Sequence, residues 1–259
     1  MKKLIAFDMD GTLAPSKSTM PGRMARLVDQ LLEKYEMCII SGGKYELFQS
    51  QSLTQITKSP ELLTKLHLMP TCGTRYYSYD TASNDWNLNY AEDFTEEEKD
   101  KIKKALHESL DESGYKVEKT YGETVEDRES QISLSIFGQD IVAELGDEGL
   151  HIKESWDPNG DKKLKIRKIV AAKIPEFEVR AAGATTIDVT KLGIDKAYGM
   201  NKLMEARGLT KEDILFFGDK LEEGGNDFPV REMGIDCIEV RNWEDTSYAV
   251  EALVKGFKA

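Results

Sequence analysis

Hydrophobic residues are unevenly spaced along the chain, and the spacing changes character twice. Leu4-Ile5-Ala6-Phe7 is a short unbroken apolar run, the pattern of a strand buried on both faces of a parallel sheet. From Arg23 to Lys34 the apolar positions are Met24, Leu27, Val28, Leu31 and Leu32, which is helical spacing. Met37-Cys38-Ile39-Ile40 is a second buried strand ending at Ser41-Gly42-Gly43, and Tyr45 to Leu53 reads as another helix. Strand, helix and strand with short connections make a βαβ unit, so the sheet is expected to be parallel and doubly wound. The same grammar returns at the other end of the chain. Lys196 to Arg207 is helical and stops at Gly208, and Ile214-Leu215-Phe216-Phe217 is a buried strand ending at Gly218-Asp219. A short helix over Phe228 to Met233, a strand over Cys237 to Val240 and a last helix over Thr246 to Lys255 complete it.

The middle obeys other rules. Thr95-Glu96-Glu97-Glu98 has the form of a capping box for a helix reaching about Ser113, with Ile102, Ala105, Leu106 and Leu110 on one face. Between Gln131 and Phe137, Ile132, Leu134 and Ile136 alternate with Ser133 and Ser135, a strand with one solvated face. A helix over Lys162 to Ile174 and a strand over Phe177 to Ala181 follow, after a turn at Trp156-Asp157-Pro158-Asn159-Gly160. The pattern predicts an α/β core from residues 1–81 and 187–259, with an α+β module inserted at residues 82–186.

Composition narrows the function. The 259 residues carry 35 basic and 47 acidic side chains, a net charge of -12. That balance argues against a nucleic-acid or anionic-membrane surface, which needs a basic patch. Cys38, Cys72 and Cys237 are scattered and have no metal-type spacing, and no segment approaches twenty apolar residues. The expectation is a cytoplasmic protein in a reducing compartment, with no membrane partner. It is expected as a monomer or a homodimer, the latter through an exposed strand edge of the inserted module.

In open α/β sheets ligands bind beyond the carboxyl ends of the strands. There the sequence offers Asp8 and Asp10, Ser41 and Asp219, and Lys196 begins the helix after the inserted module. Side chains two apart on a strand point the same way, so Asp8 and Asp10 are expected to converge on one ligand. Like charges held that close are costly unless a cation neutralises them, and hard oxygen ligands suit Mg2+. The chemistry this suggests is phosphoryl transfer. Asp8 would attack phosphorus, Asp10 would serve as general acid and then general base, and Ser41 and Lys196 would hold the phosphoryl oxygens. Asp219 would complete the metal site. Each signal alone has a plain alternative, such as a turn, a helix cap or a solvated lysine. Four in this order, each at a strand end or helix start, outweigh those alternatives.

These residues carry a resemblance. FDMDGTLAP resembles motif I (DxDGT) of the haloacid dehalogenase superfamily, CIISGG its motif II, Lys196 in GIDKAYGM its motif III and FFGDKLEEGGNDFPV its motif IV. The position of the insertion is similar to that of class IIB (Cof-type) caps, which implies a Rossmann-like core with an inserted cap. Within that class, GDKLEEGGND and TTIDVTKLGIDK resemble the eukaryotic-type phosphomannomutase branch. The likeness implies Mg2+ held by Asp8, Asp10, Asp219, Asn226 and Asp227. It implies substrate contacts at Thr12, Gly42, Lys17, Arg128, Gln139, Thr186 and Asp188, with Arg128 on a distal phosphate.

Three departures bear on activity. Gln139 stands where the branch has a second cap arginine, no arginine lies near Gly146, and Lys17 replaces an arginine after motif I. A lysine is a point charge without the bidentate fork of an arginine. Arg128 also has acidic neighbours, Asp127 and Glu129, with which to form an ion pair. The expectation is therefore a Mg2+-dependent phosphohydrolase on a small phosphorylated metabolite, in particular a sugar phosphate. The alternatives are a phosphomannomutase and, in a different class, a non-catalytic phospholigand-binding module.

Overall fold

The computed structural model describes residues 2–16 and 18–256. Its strands are β1 (Leu4–Phe7), β2 (Glu36–Ile40), β3 (Leu66–Met69), β4 (Arg75–Asp80), β5 (Asp85–Ala91), β6 (Val125–Asp127), β7 (Gln131–Ser135), β8 (Phe177–Ala182), β9 (Thr186–Lys191), β10 (Ile214–Gly218) and β11 (Asp236–Glu239). Seven of them form one sheet in the order β11-β10-β1-β2-β3-β4-β5. β11, β10, β1, β2 and β3 are mutually parallel, and β4 and β5 add an antiparallel edge.

The unbroken apolar runs are explained by this arrangement. Ile5, Phe7, Met37 and Ile39 join a core with the helix Gly22–Lys34, and Val250 of the helix Trp243–Lys255 belongs to it too. Leu4, Ala6, Cys38 and Ile40 point to the opposite face, where Met200 and Leu203 of the helix Lys196–Arg207 and Val230 of Phe228–Glu232 pack. With helices on both faces, alternate residues of β1 and β2 serve two cores, which calls for an apolar side chain at nearly every position. The core is thus a doubly wound α/β sheet.

Register then decides where chemistry can occur. Phe7 lies opposite both Phe217 and Ile39, and the Asp8 N–H extends the ladder by donating to the Phe217 carbonyl at 2.9 Å. Asp8, Ser41 and Asp219 therefore emerge at one edge, beyond the carboxyl ends of β1, β2 and β10.

Several boundaries differ from expectation for local reasons. The segment expected as one helix from Tyr45 starts as an α-helix (Tyr45–Phe48) and widens to a π-helix (Gln49–Leu53), closed by Thr54 N–H on the Gln49 carbonyl. The last helix starts at Trp243, because the Asn242 side chain caps it by accepting from Asp245 N–H at 3.1 Å. β7 stops at Ser135, where Gly138 at φ 85° turns the chain and its N–H donates to the Ser135 carbonyl. The antiparallel pair β4 and β5 has no continuous apolar run to announce it.

Contacts divide the chain into two units, Met1–Ala91 with Ile194–Ala259, and Glu92–Gly193. The second begins at Glu92 and not at 82, because β5 is hydrogen-bonded to β4 of the large sheet. It runs to Gly193 and not to 186, because β9 pairs with β7 and β8. Its sheet is antiparallel in the order β6-β7-β9-β8. One face, with Ile132, Leu134, Ile187 and Val189, packs with Ile102 and Leu106 of the helix Glu96–Ser113 and Ile166 and Val170 of Asp161–Lys173. The capping box is present: Thr95 Oγ1 accepts from Glu98 N–H at 3.2 Å, and the Glu98 carboxylate accepts from Thr95 N–H at 2.8 Å. Such a cap contributes about 1 kcal/mol. Among the described residues no helix is long and apolar enough to cross a membrane.

Candidate active site

Lys196 is the first residue of its helix, whose N-cap Asp195 accepts from Tyr198 N–H at 2.9 Å. The Lys196 side chain is fully buried and runs to the carboxyl ends of β1 and β10. There its ammonium donates to Asp8 Oδ1 and, at 2.6 Å, to Asp227 Oδ1. Asp8, Asp219 and Asp227 each present a carboxylate oxygen within 4.8 Å of the others. Asp8 and Asp227 are buried and Asp219 is partly so.

This set is electrostatically incomplete. Three carboxylates share the buried Lys196 ammonium and, at 3.7 Å from Asp219, the exposed Lys220 ammonium, which leaves negative charge in excess. Burial pushes Asp8 up to about 7, against the pull of Lys196 and with the push of Asp227. Burial also raises Asp219; Lys220 opposes this and Asp227 reinforces it. Lys196 shows the converse, since burial disfavours its charge but Asp8 and Asp227 hold its pKa above the ordinary lysine value. A divalent cation on three convergent hard oxygens would remove the deficit, so the residues present fit a Mg2+-like ion.

Backbone glycines make the convergence possible. Gly218 ends β10, and a β-carbon there would lie 2.5 Å from Asp227 Oδ2. The 219–227 loop folds back so that Asp227 Oδ2 accepts from Lys220 N–H at 3.1 Å, while Asp227 N–H donates to the Lys220 carbonyl. Gly11 has φ 83°, and a β-carbon on it would stand 2.6 Å from Asp219 Oδ2. The glycine of DGT is thus the residue against which Asp219 rests.

Asp10 is not one of the three clustered carboxylates. β1 ends at Phe7, and Met9 to Ala14 form a turn closed by Leu13 N–H and Ala14 N–H on the Met9 carbonyl. The two-residue strand period on which convergence of Asp8 and Asp10 was expected therefore does not extend to Asp10. Thr12 is buried and its hydroxyl has no hydrogen-bond partner among the described residues. Ser41 is buried with Oγ accepting from Gly43 N–H at 3.2 Å, and Gly42 lies between them. Asn226 is exposed next to Asp227. Lys17 lies outside the described residues.

In the second unit, the two acidic neighbours of Arg128 are each paired with a lysine. Asp127 is taken by Lys103 at 2.7 Å and Glu129 by Lys99 at 2.5 Å. Arg128 Nε donates to Glu126 Oε2 at 2.8 Å, across the two-residue spacing of an extended chain. That spacing was the available signal for Glu126. Asp188, on β9, accepts from Ser133 Oγ at 2.7 Å, and Ser133 lies directly opposite it on β7. Burial raises the Asp188 pKa, while Arg128 and the Ser133 hydrogen bond act against the rise. Ser133 in turn accepts from Gln131 Nε2 at 3.0 Å. Thr186 opens β9, paired with Ser135 and Ala182. Gln139 follows the Gly138 turn, its N–H on the Glu123 carbonyl.

Known proteins resemble this chain in sequence and in fold. The family model of haloacid dehalogenase-like hydrolases matches residues 5–229. A phosphomannomutase of Encephalitozoon cuniculi is 26% identical, over 98% of this chain and 94% of its own. Mouse phosphomannomutase 1 is 26% identical over 88% of this chain and 82% of its own. Among solved structures, IMP-bound Plasmodium falciparum IMP-nucleotidase superposes with a TM-score of 0.67 at 17% identity, covering 98% of this chain and 68% of that one. A haloacid dehalogenase-like hydrolase from Bacteroides thetaiotaomicron superposes at 0.60 with 14% identity, over 98% and 100%. The chain belongs to the haloacid dehalogenase-like hydrolase family and is a phosphatase-type or phosphomannomutase-like enzyme.

Proposed function

We propose that the protein is a Mg2+-dependent phosphohydrolase of the cytoplasm, acting on a small phosphorylated metabolite, in particular a sugar phosphate, through an aspartyl-phosphate on Asp8. The observation that carries this reading is the buried set of Asp8, Asp219 and Asp227 around Lys196, beyond the carboxyl ends of parallel strands. Three free thiols accord with the compartment.

In the first step a carboxylate oxygen of Asp8 bonds to phosphorus while the bond from phosphorus to the leaving oxygen breaks. Asp10 gives that oxygen its proton. In the second step Asp10 takes a proton from water, the water oxygen bonds to phosphorus, and the bond to Asp8 breaks, restoring its carboxylate and releasing phosphate. Ser41 Oγ and the loop through Gly42, with the Thr12 hydroxyl, hold the transferring oxygens. Lys196 keeps Asp8 aligned and its charge compensated. A bound Mg2+, held by Asp8, Asp219 and Asp227, supplies charge neutralisation for the phosphoryl oxygens. Asp10 is outside the three and Asn226 is exposed, so this reading gives Asp10 the proton transfers and the ion to the three carboxylates. Arg128, Gln139, Thr186 and Asp188, with Lys17, are proposed to contact the part of the substrate away from the reacting phosphate.

The second reading is a phosphomannomutase, favoured by the 26% identity to proteins of that name over nearly the whole chain. Against it stand Gln139 and Lys17, where a mutase gripping a bisphosphate would be served by arginine forks. A coupled assay on mannose 1-phosphate with a sugar bisphosphate activator separates the two. Phosphate release supports the hydrolase, and formation of mannose 6-phosphate supports the mutase. A panel of phosphorylated metabolites, with and without Mg2+, then ranks the substrates.

A further inference from the structure

Between β3 and β4 the chain places three successive residues in the left-handed region: Thr71 at φ 48°, Cys72 at φ 57° and Gly73 at φ 84°. Glycine takes this conformation freely, but a β-branched threonine does so only where surrounding contacts compel it. Here the contacts come from two of the segments that form the candidate active site. Thr71 N–H donates to the Gly43 carbonyl at 3.0 Å and Cys72 N–H to the Ser41 carbonyl at 2.9 Å, so the turn grips the loop after β2. Gly73 touches the helix of Lys196, since a β-carbon on Gly73 would overlap the Gly199 Cα. The fit is equally close from the helix side. A β-carbon on Gly199 would lie 2.6 Å from Ile40 Cδ1 and 2.7 Å from the Cys72 carbonyl oxygen. Gly199 follows Lys196 by three residues, on the same face of the helix.

The turn is held from outside the site by Tyr90 of β5. Its Oη donates to the Gly73 carbonyl at 2.6 Å. The Tyr90 ring packs on Tyr76, with centroids 5.9 Å apart, and lies 5.7 Å from the ammonium of Lys202, which belongs to the Lys196 helix. Thr71 and Thr74 close the turn internally, their hydroxyls 2.6 Å apart.

We propose that Tyr90 is a positioning residue, which by holding Gly73 makes the Thr71–Gly73 turn the gauge that spaces the Ser41 loop from Lys196. This rests on the reading of Ser41 and Lys196 as groups of the phosphoryl site. Displacement of catalytic groups by a fraction of an ångström lowers turnover more than it lowers ground-state binding.

The test is Tyr90→Phe, which removes one hydroxyl and keeps the ring. It is read by steady-state kinetics on p-nitrophenyl phosphate and by hydrogen exchange of the amides of residues 41–43, 71–74 and 196–199. The proposal expects kcat to fall about tenfold with KM changed by less than about twofold. It also expects exchange to accelerate in all three segments. An unchanged kcat in fully folded protein, or faster exchange confined to residues 71–74, overturns it. If the wild-type protein releases no phosphate from any substrate, the functional reading fails, and the exchange pattern alone then decides the positioning role. Gly73→Ala is the severe companion variant, since it imposes both the overlap with Gly199 and an unfavourable φ.

Discussion

The ammonium of Lys196 lies 2.6 Å from the Asp227 carboxylate, and neither side chain reaches solvent. Removing one partner of such a buried pair strands the other's charge, which costs about 3–5 kcal/mol. Lys196→Met should therefore destabilise the metal-free protein by about 3 kcal/mol. Urea unfolding in the presence of a chelator measures this. Turnover should fall by more than about a hundredfold.

Metal binding should reverse part of the charge deficit in the wild-type protein. Mg2+ at a hundred times its dissociation constant should add about 2.7 kcal/mol of stability, seen as a raised melting temperature that a chelator abolishes. Gly11→Ala tests the same site through the backbone, because a β-carbon there stands 2.6 Å from Asp219 Oδ2 at a φ of 83°. It should weaken Mg2+ about tenfold to a hundredfold by calorimetry. Unaltered affinity would mean that Asp219 is not a ligand.

The sequence made the frame of this site legible and left its interior partly hidden. Unbroken apolar runs identified β1, β2 and β10, and the residues that end them proved to lie at one edge of the sheet. That inference works because a polar residue inside a strand buried on both faces needs a dedicated partner, as His67 of β3 has in Glu36 and Tyr76, whereas one at the strand end does not. The turn after β1 was not legible. Asp8 and Asp10 look equivalent in FDMDGT, yet the chain leaves the extended conformation between them, and Asp8 alone joins Asp219 and Asp227. The left-handed turn at Thr71–Gly73 was hidden for a related reason, since neither threonine nor cysteine advertises a positive φ. In the second unit the alternation of Ile132, Leu134 and Ser133 separated the apolar from the polar side chains of β7, but the polar face is not solvated as expected: Ser133 and Ser135 are buried, and Ser133 is hydrogen-bonded to Asp188 and Gln131. The bond of Arg128 to Glu126 was not legible, because Asp127 and Glu129 are nearer in sequence and their pairing with Lys103 and Lys99 is set by the fold.

At the other end of the parallel strands, Glu36 accepts from Arg207 Nη2 at 2.8 Å and is 3.1 Å from Nε2 of buried His67. The hydrogen bond with His67 first, and those with Arg207 next, hold Glu36 at about 2 against an ordinary value of 4.5, despite the opposing effect of burial. A folded-state value below the unfolded one gives stability that is present above pH 4.5 and lost as pH falls from there through about 2. Glu36→Gln should cost about 1 kcal/mol at neutral pH, after allowance for solvent screening. The gap to wild type should close across that acid range. Denaturation at a series of pH values reads it, and a gap that stays constant below pH 4.5 would contradict the assignment.

Arg128 is tied to Glu126 through Nε at 2.8 Å. If it also grips a distal anionic group, Arg128→Ala should raise KM for substrates carrying one by about tenfold or more. It should leave KM for p-nitrophenyl phosphate nearly unchanged. Equal effects on both kinds of substrate would make Arg128 a structural residue.

The most direct measurement traps the covalent intermediate. Enzyme turning over p-nitrophenyl phosphate with Mg2+ is quenched and treated with borohydride, which reduces an aspartyl-phosphate to homoserine, and the peptides are read by mass spectrometry. The account predicts homoserine at position 8, only when substrate and Mg2+ are both present, and none in Asp8→Asn, which should fold normally and not turn over. Phosphate release with Asp8 unmodified, or with the modification at Asp10, would contradict it.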